Sequence, residues 1–127
     1  MKKTFYSNGK LLITGEYLVL DGAKSLALPT KFGQNITEEK NDTPEIKWTS
    51  YDADGSIWFD ETITLSLIVS SIPFETESIK NTLITILRTA HLLNPEVISN
   101  SNGFIASTQL SFPRKWGLGT SSTLINN

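Results

Sequence analysis

The sequence contains no cysteine. Disulfide frameworks, thiolate metal centres and cysteine nucleophiles are therefore excluded. It has one histidine, His91, so a metal site built from several imidazoles is excluded as well. Long apolar runs are also missing, against the roughly 20 residues that a membrane-spanning helix requires. The amino terminus, Met1-Lys2-Lys3-Thr4-Phe5-Tyr6, has the charged head of a secretory signal but no apolar stretch behind it, so a cytoplasmic protein is expected. Nor is there a surplus of positive charge. With 11 basic and 13 acidic side chains the net charge is −2, which argues against a dedicated nucleic-acid surface.

What is present suffices for one globular domain: 127 residues, 39% of them hydrophobic and 9% aromatic. Chemistry must then come from hydroxyls, carboxylates, lysines and backbone amides. Charge is spread unevenly. Residues 1–31 carry five lysines against Glu16 and Asp21, residues 32–61 carry Lys40 and Lys47 against eight carboxylates, and residues 62–127 are nearly balanced. The acidic middle reads as a solvated hairpin edge whose charges discourage strand-to-strand association.

Periodicity outlines the elements. Lys10–Leu20 reads as a mostly buried strand broken by a turn at Thr14-Gly15, Asp21-Gly22 is a second turn, and Ser25–Leu28 is extended before Pro29. Ile46–Ser50 alternates, and Asp52-Ala-Asp-Gly55 turns it into Ile57-Trp-Phe59 as a hairpin. Ile63, Leu65, Leu67 and Val69 again alternate like a strand, although a helix fits there too. Ile79, Leu83, Ile86, Leu87, Ala90 and Leu93 share one helical face, with Thr76 as expected N-cap, Glu77 in the first turn, and Pro95 as the stop. His91 lies on this helix, as a surface or packing residue. Phe104, Ala106, Thr108 and Leu110 form a last strand, which leads into a glycine-rich stretch and a helix just beginning. The pattern is α+β.

That stretch, Gly117-Leu-Gly119-Thr-Ser-Ser122, holds most of the chemical information. Two glycines free the backbone, three hydroxyl residues follow, and a helix start adds unpaired N–H donors and a favourable dipole. Such a loop cradles phosphate, and a hydroxyl within it can ligate a phosphate-bound Mg²⁺. Arg114 and Lys115 place positive charge at its mouth. A plain glycine turn capped by Ser or Thr is the ordinary use of the same residues. The loop is not a Walker A motif, since no Gly-Lys-Ser/Thr follows, nor a dinucleotide fingerprint, since position 122 is Ser.

Pro113-Arg-Lys-Trp-Gly117-Leu118-Gly119-Thr120-Ser121-Ser122 resembles the phosphate-loop signature Pro-x-x-x-Gly-Leu-Gly-Ser-Ser of the GHMP kinases, the superfamily of galactokinase, homoserine kinase, mevalonate kinase and phosphomevalonate kinase. Near the other end, Gly9-Lys10-Leu-Leu-Ile-Thr-Gly15-Glu16-Tyr17-Leu-Val19 resembles that superfamily's first motif. The resemblance implies the N-terminal, ATP-binding domain of such a kinase. Its fold would be a mixed or antiparallel sheet with helices packed on one face, incomplete at its C-terminal end and without its C-terminal domain.

By the same resemblance Pro113, Lys115, Gly117, Leu118, Gly119, Thr120, Ser121 and Ser122 would hold ATP. Ser121 would contact Mg²⁺, Lys10 would act at the transferred phosphate, and Glu16 and Tyr17 would meet the acceptor. Thr120 stands where serine is usual and keeps the hydroxyl. Tyr17 stands where many mevalonate kinases have histidine and is similar to the Gly-Glu-Tyr of phosphomevalonate kinases. The implied reaction is transfer of the γ-phosphate of ATP to a small alcohol or phosphorylated acceptor, mevalonate or phosphomevalonate first. The family's catalytic aspartate and acidic Mg²⁺ ligand would lie beyond residue 127, so the fragment alone is expected to be inactive. Its partners would be the small-molecule substrate and the missing C-terminal kinase domain, without nucleic acid or membrane, and a homodimer is left open. The competing reading is a non-catalytic α+β module that binds nucleic acid or a protein partner on the same scaffold.

Overall fold

A computed structural model describes residues 1–96, 98 and 102–127. Among the described residues five strands are present: β1 (Lys2–Thr14), β2 (Leu26–Lys40), β3 (Glu45–Tyr51), β4 (Ile57–Thr64) and β5 (Phe104–Leu110). Three helices accompany them: α1 (Leu65–Val69), α2 (Ile79–Leu93) and α3 (Thr120–Asn126). The strands form one mixed sheet in the order β1-β2-β5-β3-β4, so the expected α+β class holds. The described residues divide into two compact units: residues 1–3, 37–50 and 59–107, and residues 4–36, 51–58 and 108–127.

The first unit is built on apolar burial. Ile46, Trp48, Ile63, Leu65, Ile68, Leu83, Ile84, Leu87, Ile98 and Ala106 form its interior. Leu65 and Ile68 are buried while Leu67 and Val69 are exposed, the i, i+3 spacing of a helix. The alternation read over residues 63–69 as strand-like therefore ends at Thr64, and α1 follows. It starts where Leu65 N donates to Pro44 O at 3.1 Å.

Helix α2 lies where its periodicity placed it, with two corrections. Its N-cap is Ser78, whose Oγ accepts from Asn81 N at 3.1 Å. Thr76 instead lends its carbonyl to Asn81 Nδ2 at 2.8 Å, so Glu77 precedes the first turn. The buried face is Leu83, Ile84 and Leu87, with Ile86 half-buried, whereas Ile79, Ala90 and Leu93 are exposed. The Thr82, Thr85 and Thr89 hydroxyls each bond the carbonyl four residues back, which satisfies them on the solvent side. Arg88 fastens the helix to the preceding segment, bonding Leu67 O at 2.9 Å and Ile72 O at 2.7 Å with its guanidinium 4.7 Å from the Phe74 ring centre.

The second unit rests on backbone geometry. Its β1–β2 hairpin is antiparallel and mostly exposed along β1, contrary to the buried strand expected over 10–20. Past Thr14 the chain does not continue as a strand. Gly15 adopts φ +80°, Val19 N donates to Gly15 O at 2.8 Å, and Leu18–Asp21 form a short 3-10 turn with no buried residue. Gly33 marks a close crossing of β1 and β2, since a Cβ there would clash with Ser7 O. The 52–56 turn forms as expected: Asp52 N bonds Ser56 O at 2.8 Å, and Gly55 adopts φ +83°.

Candidate functional site

Strand β5 ends at Leu110 and hands the chain to a loop that is pinned apolar side down. Leu110, Phe112 and Leu118 form a buried cluster with Phe32, and Trp116 packs edge-on against Phe32 at 5.7 Å between ring centres. A 3-10 turn over Arg114–Trp116, closed by Trp116 N on Pro113 O at 3.0 Å, raises Pro113, Lys115 and Trp116 into solvent. Gly117 and Gly119 then take φ +71° and +78°, the left-handed region that residues with a Cβ enter at a cost. These two glycines turn the chain into α3.

The start of α3 is open. Gly119 is its N-cap and supplies no side-chain cap. The first intrahelical bond runs from Thr123 N to Gly119 O at 3.0 Å, so the amides of Thr120, Ser121 and Ser122 precede any intrahelical acceptor. The Ser122 hydroxyl is spent on Gly119 O at 2.9 Å. The hydroxyls of Thr120 and Ser121 have no hydrogen-bond partner among the described residues, and Ser121 is exposed. A Cβ on Gly119 would stand 2.6 Å from Ser122 Oγ and 3.2 Å from Lys10 Cγ, so the hollow exists only with glycine there.

Lys10 reaches this loop from the other end of the sequence. Its backbone N–H donates to Leu118 O at 3.0 Å, and its side-chain stem lies over Gly119. Gly9 permits the approach, because a Cβ there would meet Leu118 O at 2.9 Å and Phe32 O at 3.1 Å. Among the described residues neither Lys10 nor Lys115 has a carboxylate partner. Arg114, read from sequence as charge at the loop mouth, is otherwise engaged. Its Nε lies 3.0 Å from Asp52 Oδ2 and its guanidinium 4.5 Å from the Trp58 ring centre. That hydrogen bond, with one from Ala53 N, holds the Asp52 carboxyl below its ordinary pKa.

Glu16 and Tyr17 lie outside that set of contacts. Both are exposed on the turn beyond β1, Tyr17 at 84%, and no hydrogen bond or ion pair among the described residues ties either to residues 113–122. The structure thus gathers Lys10, Leu118, Gly119 and Ser122, with Gly117, Thr120 and Ser121 adjoining, and leaves Glu16 and Tyr17 on the rim of the hairpin.

Sequence reasoning missed the residues that hold the loop. Gln34 and Thr123 are buried and bonded at 2.8 Å, and Ser111 bonds Gly33. A polar residue inside a strand carries no sequence signal of its burial, and Thr123 reads only as one more hydroxyl. Gly9 was visible as a motif glycine, but not for its proximity to Leu118. For Mg²⁺, the donor set fits in part. An unpartnered serine hydroxyl is a hard oxygen ligand that suits a cation already carried by phosphate. Among the described residues no cluster of three or more His, Asp or Glu stands ready to hold a metal alone.

No family model matches the sequence, and no curated protein matches it either. Solved structures match its fold. Mevalonate kinase from Methanococcus jannaschii is similar with a TM-score of 0.70 at 16% identity, over 98% of this chain and 37% of that one. Lactococcus lactis galactokinase, solved with galactose, gives 0.66 at 16% identity over 98% of this chain and 30% of its own. A further mevalonate kinase gives 0.68 at 18% identity, with 97% and 37% covered. The chain therefore spans about a third of the length of the kinases it matches, and the fold it shares with them is one found in GHMP kinases. Among the described residues no helix is long and apolar enough to cross a membrane.

Proposed function

We propose that the chain is the nucleotide-binding part of an ATP-dependent small-molecule kinase of the GHMP type. The observation that carries this reading is the junction of Lys10 with Leu118 and Gly119: two stretches that each resemble a kinase motif, from opposite ends of the sequence, meet in one unit. In this reading the first-turn amides of α3 and the hydroxyls of Thr120 and Ser121 receive phosphate oxygens. Gly117, Leu118, Gly119 and Ser122 shape the loop around them, and Pro113 and Lys115 border it. Ser121 is the residue that would touch Mg²⁺, and the ion supplies charge neutralisation when bound. Lys10 supplies the fixed positive charge beside the transferred group. Phosphoryl transfer depends chiefly on positioning and electrostatic stabilisation, so this inventory suits it without a cysteine or histidine.

Glu16 and Tyr17 are assigned to the acceptor, a small alcohol or phosphorylated alcohol. Gly15-Glu16-Tyr17 favours mevalonate or phosphomevalonate over a sugar. The acid–base group and the acidic Mg²⁺ ligand are assigned to a further kinase segment, in keeping with the one-third coverage of the similar kinases.

Calorimetric titration with Mg·ATP and, separately, with single-stranded oligonucleotides tests the class. Saturable nucleotide binding without oligonucleotide binding is expected. Oligonucleotide binding without any response to Mg·ATP would overturn the kinase reading in favour of a nucleic-acid module. A coupled assay with mevalonate and phosphomevalonate tests the division of labour. No turnover is expected from the 127-residue chain, and substantial turnover would show that the acid–base group lies within it.

A further inference from the structure

The segment from Ser111 to Thr123 is fastened at both ends to two consecutive residues of β2. At its entry Ser111 N donates to Gly33 O at 2.9 Å, and Gly33 N donates to Ser111 Oγ at 2.8 Å. At its exit the Thr123 hydroxyl lies 2.8 Å from Gln34 Oε1, and Asn127 Nδ2 donates to Gln34 O at 3.0 Å. Gln34 and Thr123 are each 1% exposed. Between these ends Lys10 N, on β1, donates to Leu118 O at 3.0 Å.

The Gln34–Thr123 pair is expensive in a way that asks for a reason. Burying an amide and a hydroxyl against each other yields little net stability, and an apolar pair of the same shape would serve the interior equally well. Thr123 is also the residue whose N–H closes the first turn of α3 on Gly119 O. Its hydroxyl has one proton and two acceptors at 2.8 Å, Gln34 Oε1 and Thr120 O. The proton serves one of the two acceptors at a time, and this one side chain stands between β2 and the carbonyl of the first residue of α3. A valine at 123 would fill the space without fixing the rotation or register of that first turn.

We propose that Gln34 is a positioning residue for phosphate binding: through the Thr123 hydroxyl it sets where α3 begins and how the Thr120, Ser121 and Ser122 amides are aimed. The proposal rests on the kinase reading above and adds to it a residue outside both motifs. Gln34 touches no ligand; its effect passes through Thr123 to the first turn, where a small misplacement of donors has a large effect on binding a rigid anion.

The test compares affinity with stability. Gln34→Leu and Thr123→Val remove the bond while keeping bulk, Thr123→Ser keeps it, and Ile84→Val perturbs the other unit without touching the loop. Each protein is melted thermally and titrated with Mg·ATP and with Mg·tripolyphosphate, which lacks base and ribose. Gln34→Leu and Thr123→Val are expected to weaken both ligands about 10- to 100-fold by the same ratio. Thr123→Ser is expected to stay near the parent affinity, and Ile84→Val to melt lower yet bind as the parent does. If the parent binds both ligands and Gln34→Leu binds them equally well, the positioning role is overturned and the kinase reading stands. If the parent binds neither ligand, both fall together. Should Gln34→Leu not fold, the contrast between Thr123→Val and Thr123→Ser decides, and equal affinities in those two would overturn the role.

Discussion

The two compact units are held together by different physics. Among the described residues, one buries ten of the thirteen core hydrophobic residues and contains none of the five glycines with positive φ. The other buries three, Leu110, Phe112 and Leu118, but contains all five of those glycines together with the buried, hydrogen-bonded pair Gln34 and Thr123. Hydrophobic burial is roughly proportional to area and tolerant of detail, whereas glycine turns and buried hydrogen bonds depend on exact placement. The candidate site belongs to the second kind. A loop that must receive a ligand cannot bury itself, so its shape is fixed by conformation and a few directed bonds.

Four substitutions can break or sharpen this contrast. The largest stability effect is expected from Ile84→Ala in the apolar unit, about 2–5 kcal/mol by chemical denaturation from lost burial and a residual cavity. Nucleotide affinity of the folded fraction should be unchanged; a matching loss of affinity would mean that the contrast is false. Gly119→Ala comes next, with about 1–3 kcal/mol of backbone strain. Here the added methyl also fills the hollow beside Ser122 and Lys10, so calorimetry should show Mg·ATP binding abolished while most of the stability survives. Ser78→Ala removes the α2 cap and should cost about 1 kcal/mol, with no change in the titration.

The smallest effect concerns Asp52. Its carboxyl pKa is lowered in the folded chain below the ordinary 3.8, first by the Arg114 hydrogen bond. A lowered folded pKa stabilises above the unfolded value and is lost as pH falls through the folded one. The parent should therefore lose slightly more stability than Asp52→Asn as the pH falls below the unfolded value of 3.8. Identical acid profiles for the two proteins would show that the Arg114–Asp52 pair adds nothing.

What could be read in advance follows the same division. Helix α2 and strand β5 were legible because repeated burial imposes a period, and Ala106, Thr108 and Leu110 are indeed buried in alternation. The glycine loop was legible as chemistry, since Gly117 and Gly119 do adopt the conformations that distinguish glycine. Errors arose where burial is weak. Leu18, Val19 and Leu20 are apolar but none of them is buried, so a hydrophobic run there signified neither core nor strand. Residues 65–69 were too few to separate a period of 2 from one of 3.6, and burial of Leu65 with Ile68 resolved it. The α2 cap slipped by two residues because Thr76 and Ser78 are both competent hydroxyls. The supports of the loop were invisible for another reason: they depend on pairs such as Gln34 with Thr123, 89 positions apart.

That separation has a consequence in time. The ties that fasten the loop to β2 join distant parts of the chain: Ser111 to Gly33 across 78 positions, Thr123 to Gln34 across 89, and Asn127 to Gln34 across 93. Closing such long loops costs entropy before any contact repays it, so interactions of this range form late. During synthesis α3 must leave the ribosome before these ties can form, long after Gly33 and Gln34 have emerged. Until then the Gln34 side chain lacks its Thr123 partner.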